Sequence, residues 1–177
     1  GSEMCIRDRF DSSIQLIESE LFDKAGFKNI HIAGHPEGSK EIDPDGTTVN
    51  VDQALSWKNE FSKRTDASMA ITTQFCFDSN SVIEWANGIQ KSGIDIPVHI
   101  GIAGPAKLQT LLRYSIECGV GASIKILQKR AKDITKLLLP YKPTQIISEL
   151  AAYKSSNPDF NIEKVHFFPL GLSLIHI

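Results

Sequence analysis

Short apolar segments that alternate with helical patterns constrain the fold of this chain most strongly. The segments cover residues 29–34, 68–77, 97–103 and 165–170. Strands that are apolar almost throughout are typical of a parallel sheet whose two faces are both covered. The pattern therefore predicts an α/β fold, either an open doubly wound sheet or a barrel. The pattern alone does not separate the two, although no strand is followed by the glycine-rich fingerprint that would favour the first.

Capping residues and apolar spacing predict the helices between these strands. Asp11 or Ser12 is expected to cap a first helix that stops at Gly26, with one apolar face made by Ile14, Ile17 and Leu21. Asn50 and Gln53 have the spacing of a capping box. The helix after them is expected to bury Ala54, Trp57 and Phe61. Further helices are expected over residues 79–93, from Pro105, over 123–139, and from Thr144 to Tyr153.

Composition bounds the class of protein. The 177 residues are enough for one domain, and a net charge of −2 provides no electrostatic basis for binding nucleic acid. No segment approaches the run of about 18 apolar residues that a spanning helix needs, so no membrane partner is expected. Three cysteines without metal or redox spacing, and a start without an apolar leader, favour a cytoplasmic protein.

The two ends of the chain are related at the level of DNA. Residues 4–8 (Met-Cys-Ile-Arg-Asp) and residues 172–177 (Leu-Ser-Leu-Ile-His-Ile) can be encoded by one short duplex read in opposite orientations. That duplex resembles the transposon end used to build sequencing libraries. We therefore treat residues 1–9 and 172–177 as translated adapter, and residues 10–171 as the body of the protein. Different codons at either end of the coding DNA would contradict this hypothesis.

Five motifs in the body resemble the methylenetetrahydrofolate reductase family. They are His-Pro-Glu-Gly at 35–38, Thr-Gln-Phe-Cys-Phe-Asp at 73–78, Gly-Ile-Ala-Gly-Pro at 101–105, Gly-Val-Gly-Ala-Ser at 119–123 and His-Phe-Phe-Pro-Leu-Gly at 166–171. The resemblance implies a TIM (β/α)8 barrel that binds FAD. It also implies reduction of methylenetetrahydrofolate to methyltetrahydrofolate with a hydride from NAD(P)H, in a protein that forms homo-oligomers.

The resemblance also implies that residues 10–171 are about the last four β/α units of such a barrel. The family's catalytic glutamate would lie in the first half, so no catalytic residue is expected in this fragment. Two alternatives stay open, a non-catalytic folate- or flavin-binding relative and an inert half-barrel. Because half a barrel leaves open strand edges, we expect the isolated chain to aggregate, to dimerise or to bind FAD poorly.

The resemblance assigns binding roles to five residues. Gln74 would contact the folate substrate, since an amide both donates and accepts hydrogen bonds, although it could instead bond backbone at the strand end. His35 would contact FAD, or else would only cap its loop, and His31 stands where some relatives have a flavin-contacting tyrosine. Asn59 and Lys63, one helical turn apart, would lie near the FAD phosphates, with an exposed surface lysine as the alternative.

Other residues invite simpler interpretations. Asp78 is expected to be a helix N-cap. Cys76 is expected to pack as a small hydrophobe, although it lies two positions after Gln74 and would therefore face the same side of the strand. Gly101 and Gly104 could let backbone approach a ligand or could form a tight turn. Leu108 stands where the family often has an aromatic side chain. His31, His35 and Glu37 lack a metal-ligand spacing, so no metal is expected.

Overall fold

A four-stranded parallel sheet organises the protein. The computed structural model describes residues 10–118, 127–128 and 140–170. Its strands are β1 (Asn29–Gly34), β2 (Ser68–Cys76), β3 (Val98–Ala103) and β4 (Ile162–Phe168), and they lie side by side in the order β1-β2-β3-β4. Every neighbouring pair is parallel. The sheet as described has no reversal of strand order, which a doubly wound sheet requires.

Six helices are described. They are α1 (Ser13–Glu18), α2 (Leu21–Lys24), α3 (Val49–Ser62), α4 (Ser79–Lys91), α5 (Leu108–Glu117) and α6 (Thr144–Ser156). Ile32, Ile71 and Ile100 occupy one face of the sheet and share a buried core with side chains of α1, α3, α4 and α6. These four helices therefore cover the same face. Right-handed crossovers between consecutive parallel strands produce this arrangement.

The predicted strands are found within a few residues of their expected limits. β1 has the predicted range, β2 ends one residue earlier, and β3 begins one residue later. β4 begins at Ile162, three residues before the prediction, because Ile162 pairs with Val98. The predicted helix over 123–139, the turn at 119–123 and both adapter-like ends lie outside the described residues.

Three helix predictions need correction. The first helix is two short pieces, because Glu20 takes a left-handed conformation (φ 57°), and Leu21 is consequently exposed. In α3 the buried side chains are Val51, Leu55, Lys58, Asn59 and Phe61. Of the predicted stripe, Phe61 is buried, Trp57 is partly buried and packs against the core, and Ala54 is only partly buried. The helix after Pro105 begins three residues later, at Leu108.

A β-bulge interrupts β2 beside β3. Thr72 pairs with His99 and Phe75 pairs with Gly101, so three steps along β2 match two steps along β3. The extra residue reverses the face of the sheet to which each following side chain of β2 points. Cys76 therefore pairs with Ile102 and packs in the helix-covered core, rather than sharing a face with Gln74 as the predicted parity required.

The second face of the sheet is more polar. His31 on β1, Thr72 on β2 and His99 on β3 are neighbours there: Thr72 Oγ1 and His31 Nδ1 share a hydrogen bond of 3.2 Å, and the two imidazole rings meet edge to face at 5.1 Å. At the carboxyl end of the sheet, Leu108 and Leu111 of α5 pack on Phe75 and Ala103. Helix α5 therefore closes one end of this face.

Candidate functional site

A cleft lies at the carboxyl ends of β1 and β2, which is the edge where parallel α/β folds place their ligands. Its volume is about 540 Å³. One wall is the loop that follows β1, from His35 to Glu41, and the other is the bulged end of β2, from Thr72 to Cys76. The last residues of α5, Glu117 and Cys118, and Phe168 of β4 complete the lining. The fold thus brings His35 and Gln74 into one cavity, although 39 positions separate them.

The Gln74 side chain is half-buried in this cleft. Its Oε1 accepts a hydrogen bond of 3.2 Å from the backbone N–H of Phe75. Within the described residues the Nε2 group has no partner, so it can donate to a ligand. The bulge holds the strand end in place, because Thr73 Oγ1 accepts from the Gly101 N–H at 2.9 Å and donates to the Gln74 carbonyl at 2.8 Å. The amide therefore stands on a rigid backbone.

His35 is also half-buried, at the first position of the loop. Burial lowers the pKa of its imidazole, the nearby Lys58 ammonium lowers that pKa further, and Glu41 opposes both effects. The ring is therefore held neutral at physiological pH, with one nitrogen that donates and one that accepts. A neutral imidazole is suited to hydrogen bonds with hydroxyl or phosphate oxygens.

Lys58 is the most informative residue that the sequence reasoning missed. It projects from α3 and is only 7% exposed, and burial lowers the pKa of its ammonium group. In the described part of the chain it makes no ion pair. A charge that is buried without a counterion is costly, so Lys58 is a candidate to meet an anionic ligand, although it does not line the cleft. Its helical spacing from Val51 and Leu55, which places it on the buried face of α3, was the sequence signal for it.

Asp43 fixes the loop that forms the cleft wall. Its side chain is almost fully buried and accepts hydrogen bonds from Asn50 N–H at 3.0 Å, Asn50 Nδ2 at 2.7 Å and Val51 N–H at 3.0 Å. It therefore caps the amino end of α3 from seven residues upstream, in place of the capping box predicted for Asn50 and Gln53. This long-range cap leaves no local sequence signature.

A second cavity, of about 360 Å³, lies behind the loop between α3 and α4. It shares His35 and Pro36 with the cleft and is also lined by Asp52, Ser56, Trp85 and Gly88. A Cβ atom at Gly88 would meet nothing within 4 Å, so the helix surface is open there. The two cavities flank one histidine and together suit an extended ligand with two groups.

His31 lies on β1 farther from the carboxyl ends of the strands than the cleft does. It is exposed on the second face of the sheet and is bonded to Thr72, and it does not line the cleft. Its neighbour His99 is buried. Burial lowers the pKa of His99, as do the groups His31, Lys164 and His166, whereas Glu163 raises it. Contact between His31 and a flavin stays a prediction.

Asn59 and Lys63 lie toward the amino-terminal ends of the strands, whereas the cleft lies at their carboxyl ends. Asn59 Nδ2 donates to the Gly93 carbonyl at 3.0 Å and Asn59 Oδ1 accepts from the Asp95 N–H at 3.1 Å, so its amide fastens the loop that enters β3. Lys63 is exposed and pairs with Glu60 at 2.6 Å. Helix α3 runs away from the cleft toward the amino-terminal ends of the strands, so its last turn does not reach the cleft. Contact of Asn59 and Lys63 with the FAD phosphates stays a prediction.

The remaining candidates have structural roles. Asp78 is the N-cap of α4, as predicted, and accepts from the Ser81 N–H at 3.1 Å. Leu108, the first residue of α5, is buried and does not line the cleft. Burial raises the pKa of the Cys76 thiol to about 12, so it is a poor nucleophile. Gly101 is required because a Cβ there would lie 2.7 Å from the Gln74 carbonyl oxygen, a contact with protein rather than ligand.

Among residues 10–118, 127–128 and 140–170, no group of three or more His, Cys, Asp or Glu side chains is placed to hold a metal ion. None of the helices in those ranges combines the length and apolarity needed to cross a bilayer. The basic residues Lys125, Lys129, Arg130 and Lys132 lie outside these ranges. No model of a known protein family matches the chain.

Proposed function

We propose that the chain is part of a flavin-dependent methylenetetrahydrofolate reductase built on a (β/α)8 barrel. The observation that carries the proposal is the cleft that joins His35 and Gln74 at the carboxyl edge of the sheet. Both residues come from motifs that resemble the family, and the fold places them within one cavity.

The sheet supports the barrel part of the proposal. Its strands follow one another in chain order, and α1, α3, α4 and α6 cover one face. In a (β/α)8 barrel that face is the outer one, and the second face lines the interior. The four described strands would form half of the ring.

We assign the two cavities to the two halves of FAD. The cleft would take the isoalloxazine and ribityl groups, and the crevice between α3 and α4 would take the adenosine half, with His35 between them. The neutral imidazole of His35 can bond a ribityl or phosphate oxygen. Lys58 lines neither cavity, but its ammonium lies near enough to His35 to lower the pKa of that imidazole, and it would supply positive charge near a pyrophosphate. When bound, FAD would supply hydride transfer from NAD(P)H to the folate.

Gln74 is the residue we assign to the folate. A pterin ring presents adjacent donors and acceptors along one edge, and an amide can pair with both. Oε1 is already held by the Phe75 N–H, so Nε2 is directed as the donor. The role of this chain in the reaction is therefore to bind and orient, and none of its described residues is assigned as the catalytic acid.

Binding measurements on three variants test the proposal. FAD fluorescence titrations should show weak but saturable binding to the wild type, weakened further, about tenfold or more, by His35→Ala and little changed by Gln74→Ala. Methyltetrahydrofolate binding should show the reverse order. Gln53→Ala, an exposed glutamine on α3, is the matched control and should change neither. Absence of saturable FAD binding at millimolar concentration would contradict the flavin assignment.

A further inference from the structure

His35 stands where the two cavities meet. It lines the cleft at the carboxyl ends of the strands and also the cavity between α3 and α4, as its neighbour Pro36 does. A ligand that extends from one cavity into the other therefore passes beside this imidazole. Because the ring is half-buried, a charge that is brought next to it is screened less than a charge on an open surface.

The charged groups nearest to His35 oppose one another. Burial and the Lys58 ammonium of α3 lower the pKa of the imidazole, and Glu41 on the loop raises it. Lys58 is only 7% exposed, whereas Glu41 is exposed. The other titratable groups that line the two cavities are Glu37, Lys40, Cys76, Glu117 and Cys118 in the cleft and Asp52 in the second cavity.

A pyrophosphate would reverse this balance. A pyrophosphate diester carries two negative charges, and it keeps both of them over the pH range in which histidine titrates. At equal distance, two negative charges act on the imidazole more strongly than the single ammonium of Lys58 does. A charge-assisted hydrogen bond from the protonated ring to a phosphate oxygen adds to this effect.

We infer that a ligand bearing a pyrophosphate binds at His35 together with a proton. The imidazole is neutral in the free protein and becomes an imidazolium in the complex, with the proton taken from solvent. Affinity should therefore rise as the pH falls from the pKa of His35 in the complex to its lower pKa in the free protein, and should be constant outside that interval. The inference rests on the proposed function for the position of the phosphates, and it makes loading of the cofactor dependent on pH.

Calorimetric titrations of the 177-residue chain with two ligands test the inference. FAD is the first ligand, and ADP-ribose, which has the same pyrophosphate but no flavin, is the second. Each should bind at least about threefold more tightly at a pH of about 6 than at a pH of about 8. Near neutral pH, titrations in two buffers with different enthalpies of ionisation should show net uptake of protons.

Two histidine variants show which group takes up the proton. His35→Gln retains a donor but cannot titrate, so its affinity for either ligand should not change with pH. His166→Gln removes an exposed histidine that lines neither cavity, and it should retain the pH dependence of the wild type. Lys58→Met should raise the pKa of His35 and so move the pH-dependent interval upward.

NMR of the wild type reads the charge on His35 directly. Near neutral pH the Cε1–H resonance should be that of a neutral ring in the free protein, and saturation with ADP-ribose should move it to the imidazolium position. Affinities that do not vary with pH, or release of protons on binding, would overturn the inference without affecting the flavin assignment. Binding of ADP-ribose with proton uptake, but no binding of FAD, would contradict the flavin assignment alone. Absence of binding for both ligands would overturn both.

Discussion

Replacing Lys58 with methionine should stabilise the protein and weaken its binding of FAD. The two side chains have similar length, so the substitution mainly removes a positive charge from a site that is 7% exposed. No ion pair within the described residues compensates that charge. The lysine is therefore expected to be retained for a ligand rather than for stability.

The size of the expected change in stability follows from the burial of Lys58. Replacing a buried ion pair by apolar side chains of similar volume is commonly neutral or stabilising by about 1–4 kcal/mol, and a buried charge without a partner is at least as costly to keep. Because Lys58 keeps some access to solvent, we expect the free energy of unfolding at neutral pH to rise by about 1–2 kcal/mol. FAD affinity should fall about tenfold, or about 1.4 kcal/mol, since one charge-assisted bond to a phosphate is lost.

The stability difference between the wild type and Lys58→Met should depend on pH, in a direction set by the pKa of Lys58. Burial lowers the pKa of Lys58 below its ordinary value of 10.5, so the folded state disfavours the charged form. The penalty is present at neutral pH and is relieved as the pH rises through the lowered pKa. The stability advantage of Lys58→Met should therefore shrink in alkaline solution.

Denaturant unfolding and NMR titration of the His35 imidazole provide the measurements. The pKa of His35 should rise in Lys58→Met, because the second largest cause of its lowering is gone, but burial should keep it below its ordinary value. Lys63→Met, which alters an exposed lysine paired with Glu60, should change stability by no more than about 0.5 kcal/mol. A destabilised Lys58→Met protein, or an unchanged His35 pKa, would refute the reasoning.

Three further substitutions probe the cleft and the sheet. Asp43→Ala should lower the free energy of unfolding by about 2 kcal/mol, since it leaves two backbone N–H groups of α3 uncapped; chemical denaturation measures this, and a change below about 0.5 kcal/mol would contradict the cap. Gly101→Ala should lower the free energy of unfolding by about 1–3 kcal/mol, because the new Cβ would lie 2.7 Å from the Gln74 carbonyl oxygen. Backbone amide shifts should change at the bulge. A fully tolerated alanine would show that the close approach of the two strands is not needed. His99 has a lowered pKa, so the folded state favours its neutral form, and the free energy of unfolding should fall as the pH drops below the ordinary histidine value of 6.5. His99→Gln should flatten that fall. Parallel profiles of stability against pH for the two proteins would exclude the effect.

The strands were predictable because they depend on a local pattern. Apolar β-branched runs bounded by loop residues placed β1, β2 and β3 within one residue at each end. The bulge in β2 was not predictable in this way. It depends on the register against β3, a long-range relation, and it alone decides that Cys76 faces the core.

The candidate site was predictable where a motif follows a strand directly. His35 and Gln74 reach the cleft because the carboxyl ends of neighbouring parallel strands meet at one edge. Asn59 and Lys63 do not, because a residue late in the helix after a strand has travelled to the other edge. Lys58, one position before Asn59, lies near enough to His35 to lower the pKa of its imidazole, since successive helical side chains point in directions about 100° apart.

NMR mapping with the two halves of the cofactor tests the central claim most directly. FMN should shift amide resonances around the cleft, at residues 34–38 and 73–76, whereas ADP should shift those around the α3–α4 cavity at Ser56, Gly88 and Ser92. FAD should shift both sets and leave the loop at 64–66, which lines neither cavity, unchanged. Shifts confined to the far edge of the sheet, or identical shifts with both halves, would contradict a two-cavity flavin site.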